Sequence, residues 1–280
     1  HLGHQAILRH LRQKANALNL PMAVMLFEPQ PREYFMGDKA PARLMRLRDK
    51  LHYLAQAGVD VVIVAKFDRT FANLPAEQFI KDWLVRKLNV KFLSIGDDFK
   101  FGAKRLGNFA MLQEAGKQFG FEVEDSRTFC LDELRISSTA IREALAKDDL
   151  QHAENLLGKP YRIFGRVIHG NKLGRTIGFP TANVRLHRQV NPVKGVYAVK
   201  VRLKSGEIFN GVANMGKRPT INGTIQLLEV HLFDFSQNIY GQMVEVEFCH
   251  KIRNEIKFPS FEALKAQIEQ DVKTAKAFFA

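Results

Sequence analysis

Cysteine is almost missing from this 280-residue chain: Cys130 and Cys249 are the only two, far apart in sequence and without a C-x-x-C spacing. That excludes a disulfide framework and a cysteine-built zinc site, and it points to a reducing, cytoplasmic setting. Long apolar runs are lacking as well. No stretch approaches the roughly 18 residues that a membrane span requires, and the N-terminus shows no basic-then-apolar leader, so neither membrane insertion nor export is expected. Only 10 residues are proline, 46% are hydrophobic and 25% are charged, which is not the signature of a disordered chain. The length suits two domains, each with its own core.

Acidic residues are scarce in one half only. Residues 1 to 158 hold 23 basic and 20 acidic side chains, whereas residues 159 to 280 hold 19 and 9, so most of the net +13 belongs to the second half. Those cations are scattered, and no aromatic-interleaved RNA-binding signature accompanies them. The charge poses a choice between a nucleic-acid surface and a pocket for smaller phosphates, and a plain solvated basic surface accounts for it best.

Periodicity divides the chain at the same place. In the first half Ile7, Leu8, Leu11, Ala15 and Leu18 fall on one helical face, followed by the short apolar run Met22 to Phe27. Leu44, Leu47, Leu51 and Leu54 form a second helical face stopped by Gly58, before the strand Val59 to Val64. Pro75 opens a third helix carrying Phe79, Ile80, Trp83 and Leu84, and Val90 to Ile95 reads as the third strand. Gly107 to Phe119, ended by Gly120, is one more helix. This order predicts a doubly wound α/β domain with its site at the carboxyl ends of the strands. The short helix ending at Leu157 and Gly158 marks the predicted boundary, giving domains 1–158 and 159–280. Beyond it Tyr197, Val199, Val201 and Leu203 alternate with polar residues, and Ser205-Gly206 turns the chain into Glu207 to Val212. Leu228 to Leu232 and Val244 to Phe248 alternate likewise. Short antiparallel strands of this kind predict a closed β-barrel, with a C-terminal helix capped by Ser260 across one end.

Chemistry-bearing residues cluster in three places. His1-Leu2-Gly3-His4 stands at a helix start, where His1 and His4 share a side, Gly3 permits close backbone approach and free amides favour a phosphate. Two surface histidines would be the bland account. Ile136-Ser137-Ser138-Thr139-Ala140-Ile141-Arg142 puts hydroxyls at another helix start with an arginine one turn on, suited to nucleotide phosphates, although Ser137 or Ser138 would serve equally as a plain N-cap. Gly165 to Gly170 and Gly174 to Asn183 concentrate glycines, cations and small polar side chains without a Walker spacing. Glu229 interrupts an apolar strand, Leu227 to Leu232. A half-buried carboxylate there would have raised proton affinity, equipping it as a general base. Period-two alternation also allows it to face solvent.

H-x-G-H followed far downstream by I-S-S-T-x-I-R resembles the nucleotidyltransferase family and its FAD synthetase branch in particular. Phe27 to Arg32, Arg43-Leu44 with Lys50, and Gly96-Asp97-Asp98-Phe99-Lys100-Phe101-Gly102 are similar to further segments of that branch. The resemblance implies adenylyl transfer from ATP to FMN. His1 and His4 would steady the α-phosphate, Ser138, Thr139 and Arg142 would hold the departing pyrophosphate, and the loop from Gly96 through Asp97, Asp98 and Phe99 would line the nucleotide and flavin pocket. One departure stands out: the family pattern G-x-F-D-G-x-H-x-G-H begins on a strand that precedes the first histidine, and this sequence starts at that histidine. A molecule truly lacking that strand should adenylylate weakly or not at all, and an intact mass of 31.9 kDa would identify one.

Gly174-Arg175-Thr176-Ile177-Gly178-Phe179-Pro180-Thr181-Ala182-Asn183 resembles the signature of the riboflavin kinase family. That resemblance implies that Thr181 and Asn183 hold Mg²⁺ against the ATP phosphates, that Gly165, Gly170 and Gly174 with Arg175 close over the nucleotide, and that Glu229 activates the ribityl 5'-hydroxyl of riboflavin. Gly195 to Val199 with Tyr197, Asn214 to Thr220, and Arg253 are similar to segments expected to frame flavin and nucleotide. The expected ligands are therefore riboflavin, FMN, FAD and ATP with Mg²⁺, with no nucleic acid and no membrane, and with room for self-association. Two rival readings remain at this point, a kinase whose adenylyltransferase half is inactive or truncated, and an RNA-binding barrel whose affinity would fall steeply with salt.

Overall fold

The structure, a computed structural model, describes residues 1–96, 98–126, 136–170, 178–186, 190–220 and 223–280. It forms two compact units. One comprises Leu2–Ala40 with Leu47–Ile136, the other His1, Pro41–Arg46 and Ser137–Ala280.

The first unit is α/β. Its helices and strands alternate as α1 (Leu2–Leu18), β1 (Ala23–Glu28), α2 (Pro31–Met36), α3 (Leu47–Gln56), β2 (Val61–Lys66), α4 (Arg69–Ala72), α5 (Ala76–Phe79), β3 (Phe92–Ile95), α6 (Phe109–Phe119) and β4 (Glu122–Asp125). Among the described residues β1 pairs in parallel with β2 and β3 with β4, so the strands form two parallel pairs rather than one continuous sheet. Met25 of β1 and Leu93 and Ile95 of β3 pack on one core built from Phe79, Ile80, Leu84, Phe101 and Leu112.

Most boundaries follow from local chemistry. Asn108 caps α6 through its side chain, and Gly120 ends the helix in the left-handed conformation that glycine adopts without strain. Three details depart from the sequence expectations. The helix after Pro75 is α-helical only to Phe79 and continues as π-helix over Ile80–Lys87. The second helix begins at Leu47, leaving Leu44 outside it. Strand β4, Glu-Val-Glu-Asp, has too little alternation to be seen in the sequence and exists because β3 pairs with it.

Helix α1 is fastened to both pairs. Arg12 reaches Asp60, just before β2, at 2.7 Å, and the same carboxylate accepts from the Met22 amide. His10 meets Glu124 of β4 at 3.0 Å and Lys14 meets Glu122 at 3.9 Å. Successive helix residues thus touch earlier and earlier residues of β4, which means that α1 runs antiparallel to the strands. Its first turn points toward their carboxyl ends.

The second unit carries α7 (Ser138–Ala146) and α8 (Leu150–Leu157), then a closed six-stranded antiparallel barrel, then a long helix, α9 (Phe261–Phe279). The strands are β5 (Arg162–Ile168), β6 (Ala182–Arg185), β7 (Gly195–Arg202), β8 (Ile208–Thr220), β9 (Gly223–Leu232) and β10 (Met243–Arg253), and around the barrel they follow the order β10-β5-β6-β9-β8-β7. Inward positions such as Ile163, Val184, Tyr197, Val199, Leu228 and Val246 are fully buried. On the outside Val196, Ala198 and Val212 pack with Phe233 and with Ala275 of α9. Ser260 caps α9 as its sequence predicts.

Candidate active sites

In the first unit two of the expected segments share one edge. His4 stands on the first turn of α1, six residues before His10 and so about 9 Å further toward the carboxyl ends of the strands. Gly96 follows β3 directly at that edge, and the Phe99 amide closes a turn onto the Gly96 carbonyl at 3.0 Å. A side chain on Gly96 would press on the Asp98 carboxylate, which would have to turn aside. Asp97 lies outside the described residues. His4 keeps an exposed edge, yet its pKa is lowered to about 4 by desolvation first and by nearby positive charges including Lys50, so at neutral pH it is an uncharged hydrogen-bonding ring. Gly3 lies in the same helical turn.

Sequence reasoning passed over α2, which the Phe27-to-Arg32 segment leads into. Pro31 in its first turn and the reciprocal capping of Gln30 with Glu33 were readable signals of a helix start. The helix displays Tyr34 and Phe35, Phe35 being 68% exposed, and both rings pack edge-on against Phe67 at 5.4 and 5.8 Å. An exposed aromatic surface therefore borders the end of β1.

In the second unit the Ser137 hydroxyl caps α7, accepting from the Ala140 amide, with Ser138 and Thr139 on the first turn. One turn on, Arg142 donates from Nε to the Ala42 carbonyl at 2.6 Å. The structure thereby brings the I-S-S-T-x-I-R segment together with Pro41–Arg46, which contains Arg43 and Leu44. His1 belongs to this unit too.

The barrel assembles a second site. Asn183 on β6 is the register partner of Glu229 on β9, and Glu229 is the partner of Asn214 on β8. Partners in an antiparallel pair project to the same face, with β-carbons about 5 Å apart. Asn214 is in turn the partner of Val196, which packs under the outer helix, so this row lies on the outer face of the barrel. Glu229 is half-buried there and Asn183 is buried. The Oδ1 atoms of Asn183 and Asn214 are buried without a hydrogen-bond partner among the described residues. His231, two residues along β9, binds the Pro180 carbonyl at 2.9 Å and packs against Phe179, which fastens the segment leading into Thr181 beside Glu229.

The glycines of the signature behave differently from one another. Gly170 lies directly on the Asn183 carboxamide, and a methyl group there would collide with it. Gly165 sits within β5, where Val184 and the Arg185 carbonyl occupy the space of a side chain, so the structure gives it a packing role in the barrel wall. Gly174 and Arg175 lie outside the described residues.

Two residues of the expected ligand set are engaged in contacts within the protein. Tyr197 is completely buried on the inner face, its hydroxyl donating to Asp148 at 2.5 Å, with Lys251 also on Asp148 at 2.9 Å. Burial first, and the Asp148 carboxylate second, raise its pKa far above the usual phenol range. A side chain so enclosed has no surface to offer a flavin. Arg253 grips Asp271 of α9 through Nε at 2.9 and 3.1 Å and through a terminal nitrogen at 2.7 Å. Asp148 and Asp271 are too distant in sequence for these pairings to be read from it.

Among the described residues no group of three or more His, Cys, Asp or Glu side chains could hold a metal ion. Thr181 and Asn183 offer a hydroxyl and an unpartnered carboxamide oxygen instead, the neutral hard donors that Mg²⁺ takes when phosphates and water complete its shell. No helix of the described residues is long and apolar enough to cross a membrane.

Comparison with known proteins follows the same division. The family model described as FAD synthetase matches residues 1–140, and that described as riboflavin kinase matches residues 157–279. A bifunctional riboflavin kinase/FMN adenylyltransferase of Haemophilus influenzae is 84% identical over 279 residues, covering 100% of this chain and 91% of the relative. Its counterpart in Escherichia coli K12 is 57% identical, covering 100% and 89%. A crystal structure titled macrolide-efflux protein, from Streptococcus pneumoniae, superposes with a TM-score of 0.77 at 31% identity, covering 99% of this chain and 90% of that one. Since both family models match, the kinase-only reading is not favoured.

Proposed function

The chain belongs to the family of bifunctional riboflavin kinase/FMN adenylyltransferases and carries both activities, and from that premise we propose which of its residues perform them. In the half from residue 159 onward, Glu229 takes the proton from the ribityl 5'-hydroxyl of riboflavin as that oxygen attacks the γ-phosphate of ATP. The observation that carries this assignment is the pairing of Glu229 with Asn183, whose buried carboxamide oxygen lacks a partner among the described residues. Thr181 and Asn183 would hold Mg²⁺, which when bound supplies charge neutralisation at the transferring phosphates. Gly170 leaves room for the Asn183 carboxamide, and Gly174 and Arg175, outside the described residues, are assigned to the nucleotide by the family resemblance alone.

In the half up to residue 158, neutral His4 with His1 and Gly3 steadies the α-phosphate of ATP while the FMN phosphate attacks. Ser138, Thr139 and Arg142 take the pyrophosphate, with Ser137 shaping the helix start. Asp98 and Phe99 line the pocket with Asp97, and the exposed Tyr34 and Phe35 rings suit the flat isoalloxazine. Positioning and electrostatics suffice, without a covalent intermediate. The partners are small molecules, the basic excess serving their phosphates rather than nucleic acid, in a cytoplasmic setting.

The test is product analysis. Protein incubated with riboflavin, ATP and Mg²⁺ should yield FMN and then FAD. Glu229→Gln should lower FMN formation by about 10² to 10⁴ while still converting added FMN to FAD. Near-normal FMN formation by the variant would remove the base assignment, and FMN without FAD from the parent chain would restore the kinase-only reading.

A further inference from the structure

The outer-face row that contains Glu229 has a polar stretch only three strands wide. Ile168 pairs with Asn183 at one end and Val196 with Asn214 at the other, so apolar residues bound it on both sides. Glu229 occupies the middle. If the phosphates lie on the Asn183 side, the rest of the acceptor must leave on the opposite side, because in-line transfer sets the attacking oxygen between the phosphorus and its own carbon chain. That opposite side is Asn214. Its Oδ1 is buried and has no partner among the described residues, a state that costs free energy unless a ligand or water relieves it. Beside it on the same face Gly216 contributes no side chain, and a methyl group there would strike the Glu255 carboxylate.

We propose that Asn214 is a substrate-positioning residue of the kinase reaction, whose carboxamide hydrogen-bonds a secondary hydroxyl of the ribityl chain and thereby selects a polyol-bearing flavin. Neighbouring strands are about 4.8 Å apart, so the contact falls on a hydroxyl a few carbons from the reacting one. The inference rests on the assignment of Glu229 as base and of Asn183 to the phosphate side.

The experiment compares binding of riboflavin with binding of lumiflavin, which carries a methyl group in place of the ribityl chain, by quenching of flavin fluorescence on the full-length chain. Asn214→Ala should reduce the preference for riboflavin about tenfold, with lumiflavin affinity held within about twofold. In turnover the KM for riboflavin should rise by a similar factor while the KM for ATP stays constant. Asn214→Leu, close in size, keeps the strand position filled and loses the carboxamide oxygen. It carries the test if the alanine variant does not fold, and it should lose the preference likewise. An unchanged preference in the variants, or an equal loss of both flavins, would overturn the proposal. Should Glu229→Gln retain turnover while the Asn214 variants still lose the preference, the base assignment fails and the ribityl contact stands.

Discussion

Arg253→Met tests whether this arginine serves the scaffold or a ligand. Asp271 on α9 has a side chain only 4% exposed and accepts from Arg253 at three short distances and from Gln267 at 2.9 Å. Removing the guanidinium leaves a buried carboxylate with one neutral donor among these contacts, a change that typically costs about 3–5 kcal/mol. At about 4 °C per kcal/mol for a domain of this size, the barrel should melt roughly 12–20 °C lower. Arg253→Met with Asp271→Leu removes both charges and should recover most of the loss, since well-packed apolar replacements of buried pairs are often neutral. Differential scanning calorimetry of the four chains of this cycle gives the coupling directly. At a temperature where the single variant is folded, its KM for riboflavin and ATP should match the parent. A melting shift below about 2 °C together with a large rise in either KM would refute the scaffold assignment and return Arg253 to the ligand.

Gly170→Ala should press a methyl group into the Asn183 carboxamide at an overpacking cost of about 1–3 kcal/mol, lowering FMN formation roughly 5- to 150-fold while FMN adenylylation continues; equal kinase rates would show that the loop yields freely. His4→Ala should abolish most FAD formation and spare the kinase, and parallel loss of both activities would argue against separable sites. The His4 pKa of about 4 lies below the ordinary 6.5, so folding and protonation oppose each other. Its contribution to stability is complete above about pH 6.5 and is lost as the pH falls toward 4. Proton NMR of the imidazole should give a midpoint near pH 4, and one near 6.5 would contradict the desolvated position.

Local rules made much of this molecule readable. Gly120 and Ser260 stand where the sequence requires a stop and a start, and the Tyr197-to-Val212 alternation yields the hairpin of β7 and β8. What escaped depends on register and distance. Nothing in the sequence says that β6 lies against β9, yet that pairing alone sets Asn183 beside Glu229. Glu229 could have faced open water on alternation alone, and only the neighbouring strands make it half-buried. Tyr197 and Arg253 are held by Asp148 and Asp271, 49 and 18 residues away, pairings that no local pattern announces.

The strand order also governs how a growing chain can mature. Strand β10 lies between β5 and β7, and both ladders depend on it. Until it emerges from the ribosome, the earlier strands form an open sheet with two bare rims, each able to recruit a stranger's backbone. Synthesis halted before Met243 should therefore leave clumping fragments rather than a slow enzyme. Kinase competence would arrive late and all at once, after the adenylylating half has had time to settle.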